Sequence, residues 1–109
     1  MGVIDPLFLF MSAPFEKVVY TEHLEFRLKT RNIPHGLPLA ILKKSNEHYY
    51  DIVTKHYIAL CHIKFEDRYR DMAVTYDKKE GLVEIITIHP IKLYQKISRI
   101  KSGRWSKHE

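Results

Sequence analysis

Apolar and polar positions along this chain follow two different periods, and the change falls near residue 48. Before it, "KVVY" at 17–20 is β-branched and aromatic and predicts a first strand. Thr21 then stands as a helix N-cap, with Glu22 in the first turn where the helix dipole favours an acid. The predicted helix runs to about Asn32 and ends before "IPHGLP", where Pro34, Gly36 and Pro38 cluster. "LPLAILKK" predicts a second short helix with Pro38 near its first turn and Leu39, Ile41 and Leu42 on its buried side.

After the loop "SNEH" the pattern becomes that of strands: 48–53, 56–65, 68–76 and 82–89 are each rich in β-branched or aromatic residues. Their links are short: Thr54-Lys55, Glu66-Asp67, and "DKKEG" with Gly81 available for a left-handed turn position. Short links force antiparallel neighbours, so a meander is predicted. Alternation puts Tyr57, Ala59, Cys61, Ile63 and Phe65 on one face of the 56–65 strand, and His56, Ile58, Leu60, His62 and Lys64 on the other. "IITI" reads as a central strand. Pro90 is read as opening a final helix, whose Leu93, Ile97 and Ile100 share one side with Lys92, Lys96 and Arg99 beside them. The predicted order is β-α-α-β-β-β-β-α, an α+β domain with helices packed on one antiparallel meander sheet.

The chain's 109 residues fit one domain, placed at 16–105 between a flexible arm at 1–15 and a basic tail at 106–109. The arm's apolar patch, Leu7 to Met11, is too short to span a bilayer and lacks a basic leader, so no membrane role is expected. The alternative for this arm is docking through Phe8 and Phe10. Small size leaves a homodimer open. A lone Cys61 points to a reducing cytoplasm and is read as packing, while the scarcity of amides leans towards thermophile composition.

Charge changes the picture more than size does. Acidic and basic residues balance over 1–91, so the formal charge of +5 sits in the last stretch, on Lys92, Lys96, Arg99, Lys101, Arg104 and Lys107. A cationic end on a neutral body suits a polyanion, RNA first and DNA second, or else serves as a solubilising tail. Trp105, between Arg104 and Lys107, either stacks on a base or pins the chain end to the core.

The nearest thing to a motif is "TEHLEFRLKTR". On a helical wheel with His23 at zero, Arg27 and Arg31 fall near about 40° and 80°, and Leu24 and Leu28 near about 100° and 140°. The row therefore borders the apolar stripe, where side chains line a cleft. Arginine forks grip phosphate and histidine moves protons near neutral pH. The opposing reading pairs Arg27 and Arg31 with sheet carboxylates such as Asp71 or Asp77. His89, before Pro90 at a strand end, is a second acid–base candidate or a structural histidine; His56 and Tyr76 are weaker ones. Seven histidines are present without any metal-binding spacing, so neither a metal site nor a cofactor is expected. No serine-hydrolase, glycosidase or phosphate-loop signature is present.

"VYTEHLEFRLKTRNIP", "YRDMAVTYD", "EIITIHPI" and "RIKSGRW" together resemble a family of small prokaryotic proteins of uncharacterised function, frequent in archaea, with an H-x3-R-x3-R helix. That family is distantly similar to the RelE/BrnT group of toxin–antitoxin ribonucleases. The resemblance covers 17–105 and implies a RelE-like fold, a small antitoxin as partner and metal-independent RNA cleavage. It further implies proton transfers by His23 and His89, phosphate held by Arg27 and Arg31, and backbone grip by Lys96, Arg99, Lys101 and Arg104. The varied catalytic residues of the toxin group allow no residue to be carried over as catalytic.

Overall fold

A computed structural model describes residues 17–108 of the chain. The arm expected at 1–15 lies outside them, as does Glu109. Strand β1 (Lys17–Tyr20) leads into helix α1 (Glu22–Thr30) and helix α2 (Leu37–Lys44). Strands β2 (Glu47–Asp51), β3 (His56–Phe65), β4 (Arg68–Lys79) and β5 (Leu82–Ile91) follow, then helix α3 (Leu93–Lys101) and strand β6 (Trp105–His108). They form one α+β sheet in the order β1-β5-β4-β3-β2-β6.

The meander β2–β5 is as predicted, but the sheet is mixed. β1 runs parallel to β5, because the chain leaves it through two helices and returns at the far side of the sheet. Residues 106–108, expected in a basic tail, instead pair antiparallel with β2 as β6. Pro90 does not open the last helix; it lies inside β5, which β1 accompanies only as far as Ile85. The stretch beyond Ile85 has the character of an edge, and edges tolerate proline. "IITI" is thus central only at its first residue, Ile85.

Local chemistry sets the boundaries. The Thr21 hydroxyl accepts the Leu24 amide at 3.1 Å, capping α1 as expected. β2 stops at Asp51, short of the expected residue 53, because its carboxylate takes the Val53 and Thr54 amides at 2.9 and 3.3 Å. Gly81 adopts φ +70° in the β4–β5 turn. Glu66 and Asp67 close the β3–β4 hairpin at φ 53° and 68°, a left-handed pair made without glycine.

The two faces of the sheet are built differently. On one, α1 and α2 deliver Leu24, Leu28 and Ile41 onto Ala59, Met72, Val74, Ile85 and Ile88, with Tyr57, Cys61, Ile63 and Phe65 packed around them. This is the face that alternation assigned to Tyr57 through Phe65. On the other, a smaller cluster joins Tyr49, Ile58, Leu60, Ala73, Ile91 and Trp105. α3 lies on that side, anchored by Lys96 to Glu47 and by Arg99 over Trp105.

Candidate functional site

Leu24 and Leu28 are buried at 0% and 3% exposure and fix the rotation of α1. With those two anchored, Arg27 and Arg31 overhang the part of β5 that β1 leaves uncovered. There they line a cavity of about 140 Å³ with Phe65, Glu66, Ile88, His89 and Pro90. Arg27 and Arg31 thus share this cavity, and His89 borders it, but the His89 side chain belongs to the other face: His89 stands opposite Ala73 of the α3-side cluster, while Ile88 and Pro90 face α1. His23 is exposed and does not line this cavity, so the expected convergence of His23 with His89 is not met. One turn of helix carries His23 past the end of the cleft.

The opposing reading of the arginines has a direct answer in the ion pairs. Asp71 is taken by His62 at 2.8 Å and Asp77 by His56 at 2.7 Å, each from across the strand pair. Among the described residues, neither Arg27 nor Arg31 has an ion pair. Glu66, the one acid of the cavity wall, bridges Arg70 at 3.6 Å. Two guanidinium groups therefore share a small concave site whose positive charge is not neutralised.

His89 is the hinge of the site. It also lines a second cavity, of about 300 Å³, on the α3 side of the sheet with His56, Thr75, Thr87, Arg99 and Arg104. Crowding by protein atoms lowers its basicity below that of a free imidazole, and the charges of Arg99 and Arg27 lower it further. The residue still keeps an exposed surface, so a neutral, basic ring is reachable from solvent near pH 7.

Most of the C-terminal cations are spent inside the molecule. Arg104 grips Asp51 through two bonds of 3.0 Å, and Asp51 is 2% exposed. Trp105 is 3% exposed, donates its indole N–H to Asp51 at 3.2 Å and stacks on Tyr49 with centroids 5.3 Å apart. It pins the chain end and is not free to stack on a base. Burial opposes ionisation of Asp51, but Arg104, the two turn amides and Trp105 outweigh it and hold the carboxyl well below its ordinary value. Lys96 pairs with Glu47 at 2.8 Å, and Lys107 lies over the Tyr49 ring. Lys92 and Lys101 are exposed, with no ion pair among the described residues.

The other candidates are structural. Tyr76 is 2% exposed and hydrogen-bonds His48 at 2.8 Å, and Cys61 packs against the larger core. Among the described residues no group of three metal-ligating side chains comes together. Glu66 was not singled out as a neighbour of the α1 row. The signal in the sequence was the two-residue Glu66-Asp67 link itself, which sets Glu66 at the end of the β3–β4 hairpin.

Comparison with known proteins finds no matching family model, no matching curated protein and no matching solved structure. The fold and the site define an α+β protein with a mixed sheet and a cationic cleft at one end of β5. Among the described residues no helix is long and apolar enough to cross a membrane.

Proposed function

We propose that this protein is RNA-directed, a metal-independent endoribonuclease of the toxin–antitoxin type with a RelE-like arrangement, acting in the cytoplasm. The observation that carries the reading is the pair Arg27 and Arg31, neither of them ion-paired among the described residues, in one cleft at the open edge of β5 that carries His89. Paired guanidinium forks suit the two free oxygens of a phosphodiester, and they stabilise the extra charge that develops during its cleavage.

In this reading the neutral His89 ring takes the proton from a ribose 2′-hydroxyl. The 2′-oxygen forms a bond to phosphorus, the bond to the 5′-oxygen breaks, and the imidazolium returns its proton to that oxygen. The products are a 2′,3′-cyclic phosphate and a 5′-hydroxyl. A lowered basicity suits both halves, since the ring is uncharged before the step and a willing donor after it. His23 takes no part in this scheme.

The test is incubation of the purified protein with RNA in EDTA, alongside Arg27→Ala, Arg31→Ala and His89→Ala. Cyclic-phosphate ends that disappear with His89→Ala support cleavage. RNA binding that falls steeply with salt and survives His89→Ala, without cleavage, supports a non-catalytic binding module. That second reading is favoured by the alternation of β5, which turns the His89 side chain towards the α3 side and away from Arg27 and Arg31. Absence of both binding and cleavage overturns the proposal.

A further inference from the structure

Helix α3 is oriented against the usual rule. None of its residues is buried. Leu93, Tyr94, Ile97 and Ile100 are exposed at 61%, 67%, 42% and 38%, whereas Lys96 and Arg99 reach down to Glu47 and Trp105. A helix ordinarily buries its apolar stripe, and here that stripe faces outward. Leu93, Ile97 and Ile100 fall within about 60° of one another on the helix, so they form a continuous strip. The turn after β2 is exposed nearby: the Ile52 amide bonds the carbonyl of Arg104, three residues beyond α3, at 2.9 Å, and Ile52 and Val53 are exposed at 55% and 64%. A contiguous apolar patch of this kind marks an interaction surface.

The charges around the strip decide what fits it. Lys101 flanks it on one side, and Lys92, Lys96 and Arg99 on the other; α3 itself contains no acid. A second copy of this chain, packed helix against helix, would bring like charges together along both flanks, which costs affinity and selects against that partner. We infer that the outward face of α3, with Ile52 and Val53, docks an acidic amphipathic helix of another protein. Its apolar stripe lies on Leu93, Ile97 and Ile100, and its carboxylates meet Lys92 and Lys101. Helix-on-helix recognition of this kind reads anchors spaced three and four residues apart, the spacing that Leu93, Ile97 and Ile100 present. The inference rests on α3 and not on the Arg27–His89 cleft.

The probe is a synthetic helical peptide with leucine at the a and d heptad positions and glutamate on its flanks, titrated into the full chain by fluorescence anisotropy. The control carries lysine in place of glutamate. Saturable binding of the acidic peptide that weakens by about tenfold or more with Ile97→Asp, and again with Lys92→Glu plus Lys101→Glu, supports the surface. These side chains are exposed, so circular dichroism and melting temperature should stay unchanged. Equal binding of the lysine peptide, no saturable binding, or indifference to Ile97→Asp overturns it. A dimer in light scattering that Ile97→Asp dissociates assigns the face to a second copy. Peptide affinity that rises with Phe8→Asp plus Phe10→Asp assigns it to this chain's own N-terminal segment. Either result also overturns the inference.

Discussion

Arg27 and Arg31 on α1, and Arg104 and Lys96 at the C-terminal end, are the same kinds of charge put to opposite uses. Arg104 and Lys96 meet carboxylates on the sheet and hold α3 and β6 in place. Among the described residues Arg27 and Arg31 meet none: Asp71 and Asp77 stand with Ala73 on the face of β4 turned away from α1, and His62 and His56 hold them. Net charge in the sequence is therefore an incomplete guide: the end carrying the formal excess ties Lys96 and Arg104 to carboxylates and lays Arg99 and Lys107 on aromatic rings, while the balanced body holds the cationic cleft. What separates structural from available cations is which carboxylate lies within reach.

That contrast can be broken at its strongest point by Asp51→Asn. The substitution leaves Arg104 without its partner charge and disturbs the bonds to Trp105 and the β2–β3 turn. A loss of about 3 kcal/mol is expected, roughly 15 °C in melting temperature by calorimetry. The same residue sets a pH dependence. The folded carboxyl is held below its unfolded value, so the stabilisation is complete above about pH 4 and is lost as pH falls through the lower folded value. Asp51→Asn should flatten that acid limb in urea titrations across pH.

Next in size is the cleft. If RNA binds in the cleft as proposed, Arg27→Ala plus Arg31→Ala should weaken that binding by about 2–3 kcal/mol, measured by filter binding at fixed salt. The melting temperature should change by only a few degrees, as expected for arginines without ion-pair partners. A large loss of stability without loss of binding would erase the distinction between the two sets of cations. Lys96→Ala should do the reverse, costing about 1 kcal/mol or less in stability, since Lys96 and Glu47 are only partly buried, and leaving RNA binding nearly unchanged.

The smallest effect is the most local. Removing a positive neighbour makes protonation of His89 easier, so Arg99→Ala and Arg27→Ala should each raise its titration midpoint towards the ordinary histidine value. Proton NMR of the imidazole against pH measures this. If cleavage occurs, its acid limb should move in the same direction. A midpoint that does not respond to either substitution would show that these arginines do not act on His89.

Local signals were the legible part of the fold. Thr21 as cap, the strand at 17–20, the 56–65 alternation, the hairpin link at Glu66-Asp67 and the left-handed Gly81 each depend on neighbours in sequence. The missed features depend on partners far along the chain. β6 exists because Trp105 and Arg104 find a buried carboxylate more than fifty residues earlier, and Pro90 stays in a strand because β1 stops at Ile85. In the site, helical spacing put Arg27 and Arg31 at the edge of the apolar stripe, and that position holds. The same spacing could not say that His23 would fall outside the cleft, or that Glu66 would enter it from a hairpin turn.

By itself the sequence determined the Thr21 cap, the Glu66-Asp67 and Gly81 turns and the face each residue of 56–65 takes, since these follow from backbone geometry over a few residues. Only the tertiary structure decided the parallel pairing of β1, the outward apolar face of α3 and the fate of each charge. Those outcomes turn on which distant groups meet first in a sheet of limited carboxylates. A cation of identical local sequence character becomes a structural tie or an open binding group accordingly.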